Sequence, residues 1–284
     1  LASGKVRESF RVNGDQRLIV VTDRISAFDK ILDTPIPKKG AVLNGLANWW
    51  FAETQDIVPN HLIRQVDPNA SLVREATPLR VEVIMRGYLT GSMWRGYRVG
   101  NRSFSGVEVP DGLARNQKFP TPLLTPTTKE QSDRPITPEE IVSTGLVAAP
   151  VWEQMVTAAR ALFDRGTRIL EEKGILLVDT KYEFGLVEGE LVLIDELHTP
   201  DSSRFWFKDQ WEQDPANVVE LDKEFVRQWL LENRTADGVP TRLPDDVIVE
   251  TTRRYIDIFE RIVGEPLSLG NASPSRRLGR GLVL

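Results

Sequence analysis

The chain has 284 residues, 40% of them hydrophobic and 27% charged, a formal net charge of −5, two histidines and no cysteine. That length supports a sizeable core with two or three lobes. The missing cysteines exclude disulfides, thiolate metal sites and cysteine nucleophiles. The acidic balance argues against a broad nucleic-acid surface, and no apolar run approaches the ~18 residues of a membrane helix. The expectation is a cytoplasmic enzyme with neither nucleic-acid nor membrane partners, in which any metal is a hard ion held by carboxylates.

In chain order, VRESFRV and QRLIVVTD flank Asn13, Gly14 and Asp15 and read as a hairpin with an Asn-Gly turn. Residues 41–53 read as a helix. Residues 78–92 then read as a strand running into a glycine-containing turn. Pro110, Pro120, Pro122, Pro126 and Pro135 mark 100–137 as a long irregular segment of the kind that carries function. Thr137, Pro138 and Glu140 form a helix start with a capping box. A longer helix follows Pro150, with Trp152, Met155, Leu162 and Phe163 near one face and Gly174 at its end. ILLVDT reads as a buried strand and YEFGLV-EG-ELVLID as a second hairpin. Helices follow around 222–233 and 244–263, and beyond Gly264 the tail reads as poorly ordered. The pattern predicts an α+β fold with a mostly antiparallel sheet system.

Glu183 and Asp195 lie six residues either side of Gly189. A regular hairpin sets such residues opposite one another or one diagonal apart, with Cβ atoms roughly 5 Å apart. Two carboxylates that close call for a cation between them. Mg²⁺ carrying nucleotide phosphates suits the geometry, and a solvated charged face is the plain alternative. Gly4, Lys5, Val6 and Arg7 put two cations on one strand face beside a glycine, a phosphate cradle or an ordinary basic edge strand. No Walker loop occurs. Arg86 with Thr90, Gly91 and Ser92, and Arg204 with Ser202 and Ser203, combine guanidinium forks with hydroxyls that suit a phosphate monoester; separately, each is more often a turn or a structural ion pair. TDRISAFD at 22–29 is polar and turn-like without definite chemistry. Lys129, followed by Asp133, sits in the long segment, and His198 is a candidate base.

Taken in order, GKVRESF (4–10), TDRISAFD (22–29), IPKKG (36–40), IMRGYLTGS (84–92), VPDGL (109–113), TPTTK (125–129), DTKYEFG (179–185), DELHTPDSSRFW (195–206) and LDKEFVRQWL (221–230) resemble the SAICAR synthetase family across roughly 3–263. The resemblance implies a SAICAR synthetase-like α+β fold. Its antiparallel β-rich N-terminal lobe, 1–98, would cover ATP in a kinase- or ATP-grasp-like site. A central α/β part, 99–220, would carry the metal hairpin and substrate loops, and 221–284 a helical segment and tail. ATP is the implied co-substrate and Mg²⁺ the implied metal. The implied reaction joins carboxyaminoimidazole ribonucleotide (CAIR) to L-aspartate through an acyl phosphate, in purine biosynthesis. It rests on positioning and charge neutralisation, so it needs no protein nucleophile and no role for His198.

Carried over by position, Lys5, Arg7, Glu183 and Asp195 hold ATP, the last two through the metal. Asp29, Lys39, Arg86, Ser92, Ser202, Ser203 and Arg204 hold the ribonucleotide or aspartate, and Lys129 and Asp133 are catalytic. A monomer is expected, with a homodimer as the alternative. The loop after Lys129 departs from the family pattern, being short and carrying Ser132 where a histidine commonly precedes the aspartate. Competing functions are a kinase acting on an alcohol and a regulatory protein that binds ATP without turnover.

Overall fold

The computed structural model describes residues 2–28, 30–130, 133–235 and 238–269. Asp29, expected at the substrate site, and residues 273–281 of the tail lie outside them.

The chain begins with β1 (Ala2–Ser3), β2 (Arg7–Asn13) and β3 (Gln16–Val21), then a small ladder of β4 (Ser26–Ala27) with β5 (Lys30–Ile31). Helix α1 (Lys39–Glu53), β6 (Leu62–Asp67) and β7 (Ala70–Arg74) follow. Strands β1, β2, β3, β7 and β6 form one antiparallel sheet in that order. The first long hairpin is present, but its two loop residues are Gly14 and Asp15, and Asn13 still pairs with Gln16. Neither loop residue has a positive φ, so this is not the expected Asn-Gly turn.

The second sheet is built on β8 (Thr77–Tyr88). After it come α2 (Gly91–Arg98), a ladder of β9 (Ser103–Phe104) with β10 (Val107–Glu108), then β11 (Lys118–Leu124) and β12 (Thr127–Thr128). The proline-rich segment therefore carries short strands, two of which add to the edge of β8. Helix α3 (Pro138–Ser143) starts with the expected capping box: Thr137 Oγ accepts from the Glu140 amide while Glu140 accepts from the Thr137 amide. Helix α4 (Ala149–Glu172) leads to β13 (Ile175–Val187). Strand β13 pairs with β8, with β14 (Glu190–Ile194) and with β15 (Ser203–Phe207), and α5 (Lys208–Gln213), α6 (Glu224–Glu232) and α7 (Asp245–Val263) complete the described chain.

The two segments expected either side of Lys181 are one strand of 13 residues. The register against β15 steps from Leu177 to Asp179, a bulge that leaves Val178 extra. Upstream of it Ile175 and Leu177 enter the main core, whereas downstream Tyr182 and Phe184 do, so the parity of inward residues switches. One face of this sheet, with Val81, Val83, Met85, Tyr182 and Phe184, packs in the core with Met155, Ala159, Leu162 and Phe163 of α4. Each large apolar side chain buried there contributes about 1.5–3 kcal/mol. The other face of β13 and β8 carries charge.

Leu43, Leu46 and Trp50 of α1 and Tyr255, Ile258 and Ile262 of α7 extend the same core. A smaller cluster joins Ile25, Leu32 and Ile36 to Val226, Leu230 and Val247, fixing the 25–36 segment on α6 and α7. Among the described residues no helix is long and apolar enough to cross a membrane.

Candidate active site

The charged face is organised by period two. Asp179, Lys181 and Glu183 alternate along β13, and opposite them on β8 stand Arg86, Ile84 and Glu82. At about 3.3 Å per residue, the ends of this row lie roughly 13 Å apart.

At the Asp179 end, strand register places an arginine on either side of the aspartate: Arg86 on β8 and Arg204 on β15 both pair with Asp179. Arg204 Nη1 donates to Asp179 Oδ2 at 2.5 Å and Arg86 Nη1 to the same oxygen at 3.4 Å. Arg86 Nε donates to the Thr125 hydroxyl at 2.8 Å. Arg204 Nη2 reaches Glu224 at 3.3 Å. Burial alone would lower the Arg204 pKa, but Asp179 and Glu224 hold it protonated well above the usual range. Burial pushes the neighbouring carboxyls the other way, Glu220 up to about 8 and Asp222 up to about 7.

The start of α2 lies against this cluster. Gly91 has φ +56°, and a Cβ there would sit 2.5 Å from Arg204 Nη2. Only glycine lets backbone approach the guanidinium this closely. Ser92, next in the chain, is exposed beside it. Of the remaining predicted residues of this end, Ser203 and Lys39 are buried and Ser202 is half-buried. The Ser203 hydroxyl donates to Thr180 Oγ1 at 2.7 Å, and the Ser202 hydroxyl accepts from the Thr199 amide at 3.2 Å. Lys39 is fully buried and donates to Asp201 Oδ2 at 2.8 Å; Lys223 and the Tyr255 hydroxyl share that carboxylate. The lysine and tyrosine partners hold the Asp201 carboxyl far below the usual range although burial opposes this.

At the other end, Gly4, Arg7, Lys129, Glu183 and Asp195 line one cavity of about 390 Å³ between the two sheets. Its apolar wall includes Ile19, Val73, Pro78 and Ile194. Glu183 faces Glu82 across the strands, and Lys181 bridges the two at 2.6 and 2.8 Å. Lys129 also pairs with Glu183, and Arg7 bridges Asp195 and Glu196. Burial and the Lys181 charge push the Lys129 amine down to about 8, against Glu82 and Asp133. Asp133 itself is exposed.

Two expectations here need correction. Glu183 pairs with Ile194, not with Asp195, because the turn is Glu188 and Gly189, both at positive φ as a two-residue hairpin requires. A one-residue offset would send Asp195 to the other face. Asp195 lies beyond the strand, however, and its left-handed φ of 68° coincides with its return to the cavity that Glu183 lines. Likewise Lys5 and Arg7 do not alternate on one strand. Gly4 N donates to Arg7 O at 2.8 Å, so Lys5 and Val6 form the tip of the tight turn between β1 and β2, and Lys5 is exposed there.

The donor set fits a nucleotide-borne hard cation. Two carboxylates open on one cavity, and Mg²⁺ uses one or two plus phosphate oxygens. Both histidines are structural and neutral, with burial lowering each to about 3. His198 Nε2 bonds the Tyr182 hydroxyl at 2.7 Å and its ring meets Trp50 edge-on.

The sequence motifs assign no role to Asp179, Lys181, Glu82 or Glu196. The first three carry a signal, charge at alternate positions of otherwise apolar strands, whereas Glu196 lies past the end of β14. Asp179 and Lys181 stand within DTKYEFG, whose parity the bulge conceals.

The SAICAR synthetase family model matches residues 1–242. A phosphoribosylaminoimidazole-succinocarboxamide synthase of Legionella pneumophila is 44% identical over 276 residues, covering 92% of this chain and 87% of that protein. One from Cytophaga hutchinsonii is 41% identical, covering 99% and 93%. The solved SAICAR synthase of Saccharomyces cerevisiae complexed with SAICAR superposes with a TM-score of 0.82 at 34% identity, covering 94% of this chain and 95% of that one. Matched over most of its length by the family model and over nine-tenths by relatives above 40% identity, the chain belongs to the SAICAR synthetase family.

Proposed function

We infer that this chain is an ATP-dependent ligase of purine biosynthesis that condenses CAIR with L-aspartate to give SAICAR, ADP and phosphate. The observation that carries the assignment to particular residues is the row of charge on β13: one strand face serves an arginine cluster at Asp179 and a cavity with paired carboxylates at Glu183. A ligase that holds two phosphorylated substrates needs two such places at strand distance.

ATP occupies the cavity, its base against Ile19, Val73 and Ile194, and its phosphates under the Gly4–Arg7 turn. Glu183 and Asp195 would hold Mg²⁺, and Arg7 and Lys5 add positive charge. Bound there, the ion would offset phosphate charge. Arg86, Arg204 and Ser92 hold the ribonucleotide 5′-phosphate, a role supported by the convergence of guanidinium forks and hydroxyl. Ser202, Ser203 and Lys39 act beneath them by fixing the turn that carries Arg204. The CAIR carboxylate takes the γ-phosphoryl group, and the aspartate amine displaces phosphate from the resulting acyl phosphate. Lys129 stabilises the charge on the transferring group, and Asp133 favours its protonated form. The enzyme works as a cytoplasmic monomer.

The reaction is tested by mixing components. ADP forms only when ATP, Mg²⁺, CAIR and L-aspartate are all present, with one equivalent of succinocarboxamide per ADP. ¹⁸O placed in the CAIR carboxylate appears in the released phosphate. Stoichiometric ADP without aspartate overturns the ligase assignment, and absence of label transfer overturns the acyl phosphate. Chelation of Mg²⁺ that leaves turnover intact overturns the metal site.

A further inference from the structure

Residues 22–24, Thr-Asp-Arg, open the polar stretch to which the sequence alone assigns no chemistry. In the structure their side chains work in opposite directions. The Thr22 amide and hydroxyl both donate to the Val6 carbonyl, at 3.0 and 2.8 Å. Arg24 Nε donates to the Lys5 carbonyl at 3.1 Å and Nη2 to the Gly4 carbonyl at 3.1 Å, while Nη1 bonds Glu8 at 2.7 Å. Asp23, between them, accepts from the Gly40 amide at 2.9 Å and the Lys38 amide at 3.3 Å, and so anchors the start of α1.

Three successive carbonyls, those of Gly4, Lys5 and Val6, are thereby drawn to one side by two side chains of one short segment. Peptide planarity then fixes the orientation of the intervening amides. This is the turn whose Gly4 and Arg7 line the nucleotide cavity. The Arg24 side chain is one-third exposed, and an exposed ion pair with Glu8 contributes little to stability. A guanidinium with all three nitrogens committed to one turn and its following strand is instead suited to holding geometry, because its planar fork is pre-organised.

We propose that Arg24, assisted by Thr22, is a positioning residue for ATP, holding the Gly4–Val6 turn in the conformation that covers the phosphates. Asp23 ties the same segment to α1, whose first residue Lys39 reaches Asp201 beneath the arginine cluster. The inference rests on the cavity being the nucleotide site, so the test carries a control for that site.

Full-length Arg24→Ala, Arg24→Lys and Glu183→Gln are compared with the parent by steady-state kinetics, MgADP calorimetry and thermal unfolding. Arg24→Ala raises KM for ATP and weakens MgADP about tenfold, the scale of losing hydrogen bonds from a charged donor. KM for CAIR stays within about twofold, kcat changes less than KM for ATP, and Tm stays close to the parent. Arg24→Lys, with a point donor in place of a fork, recovers part of the ATP affinity, and it carries the test if the alanine variant does not fold. Equal losses for ATP and CAIR, or a fall in Tm with unchanged KM for ATP, overturn the proposal. If Arg24→Ala binds MgADP normally while Glu183→Gln does not, the positioning role fails and the nucleotide site stands. If Glu183→Gln binds MgADP and turns over normally, the site assignment itself fails.

Discussion

The two ends of the charged face on β13 are made by different means. Around Asp179 the partners come from strand register: Arg86 and Arg204 stand on the flanking strands, and all three side chains are largely buried. Around Glu183 the parts come from separate segments: a tight turn at Gly4–Arg7, a loop lysine at 129, and Asp195 at a left-handed φ. Hydrogen-bonded register holds groups rigidly, whereas a site assembled from loops positioned by two sheets adjusts more readily. On the proposed assignment, a monoester phosphate is offered a preset cluster, and a nucleotide that must leave as ADP is offered a jointed one.

The sharpest way to break this comparison is at the carboxylates. Glu183→Gln and Asp195→Asn lower turnover by about 10²–10³-fold or more, the scale of removing a preorganised charge at a reacting centre. Thermal unfolding stays near the parent, since Lys181 keeps Glu82 and Arg7 keeps Glu196. Near-normal activity at limiting Mg²⁺ would show that these residues do not hold the ion.

At the rigid end, binding and stability fall together. Arg204→Ala and Arg86→Ala weaken the ribonucleotide by roughly tenfold to over a hundredfold, about 1.5–3 kcal/mol, with little change in KM for ATP. Arg204→Ala also leaves Asp179 to its longer contact with Arg86 and Glu224 to Arg227, so it lowers unfolding free energy by about 1.5–3 kcal/mol in urea titration. A larger penalty on ATP than on CAIR would move these arginines to the nucleotide end.

A pH profile sharpens the jointed end. The Lys129 amine, pushed down to about 8, is charged below that pH and neutral above it. If its ammonium serves the transferring phosphoryl group, kcat/KM for ATP falls as pH rises through about 8. Lys129→Arg, which stays protonated, removes that alkaline limb. A limb that persists in the arginine variant assigns the ionisation elsewhere.

The smallest expected effect is at Gly91. Gly91→Ala combines a left-handed φ with a Cβ at 2.5 Å from Arg204 Nη2, costing about 1–2 kcal/mol of stability. KM for the ribonucleotide rises severalfold as the guanidinium is displaced, and KM for ATP does not move.

The sequence by itself determined what local chemistry dictates. The capping box at Thr137 and Glu140, the amphipathic α4 and the α+β class follow from nearest-neighbour hydrogen bonding and hydrophobic period. The order of nine motifs likewise disclosed the family, since each motif keeps its residues whatever the packing. Tertiary structure alone decided register and aim. Which residue faces Glu183 depended on whether the turn is centred on Gly189 or shared with Glu188, a one-residue choice that inverts every side chain beyond it. Continuity of β13 was concealed by the bulge at Val178, which breaks the alternation a strand is recognised by. Burial decided the rest. Lys39 and Lys129 are the same ion in sequence, yet one is sealed against Asp201 and the other opens on the cavity that Glu183 lines, because the fate of a charge depends on neighbours brought in from distant parts of the chain.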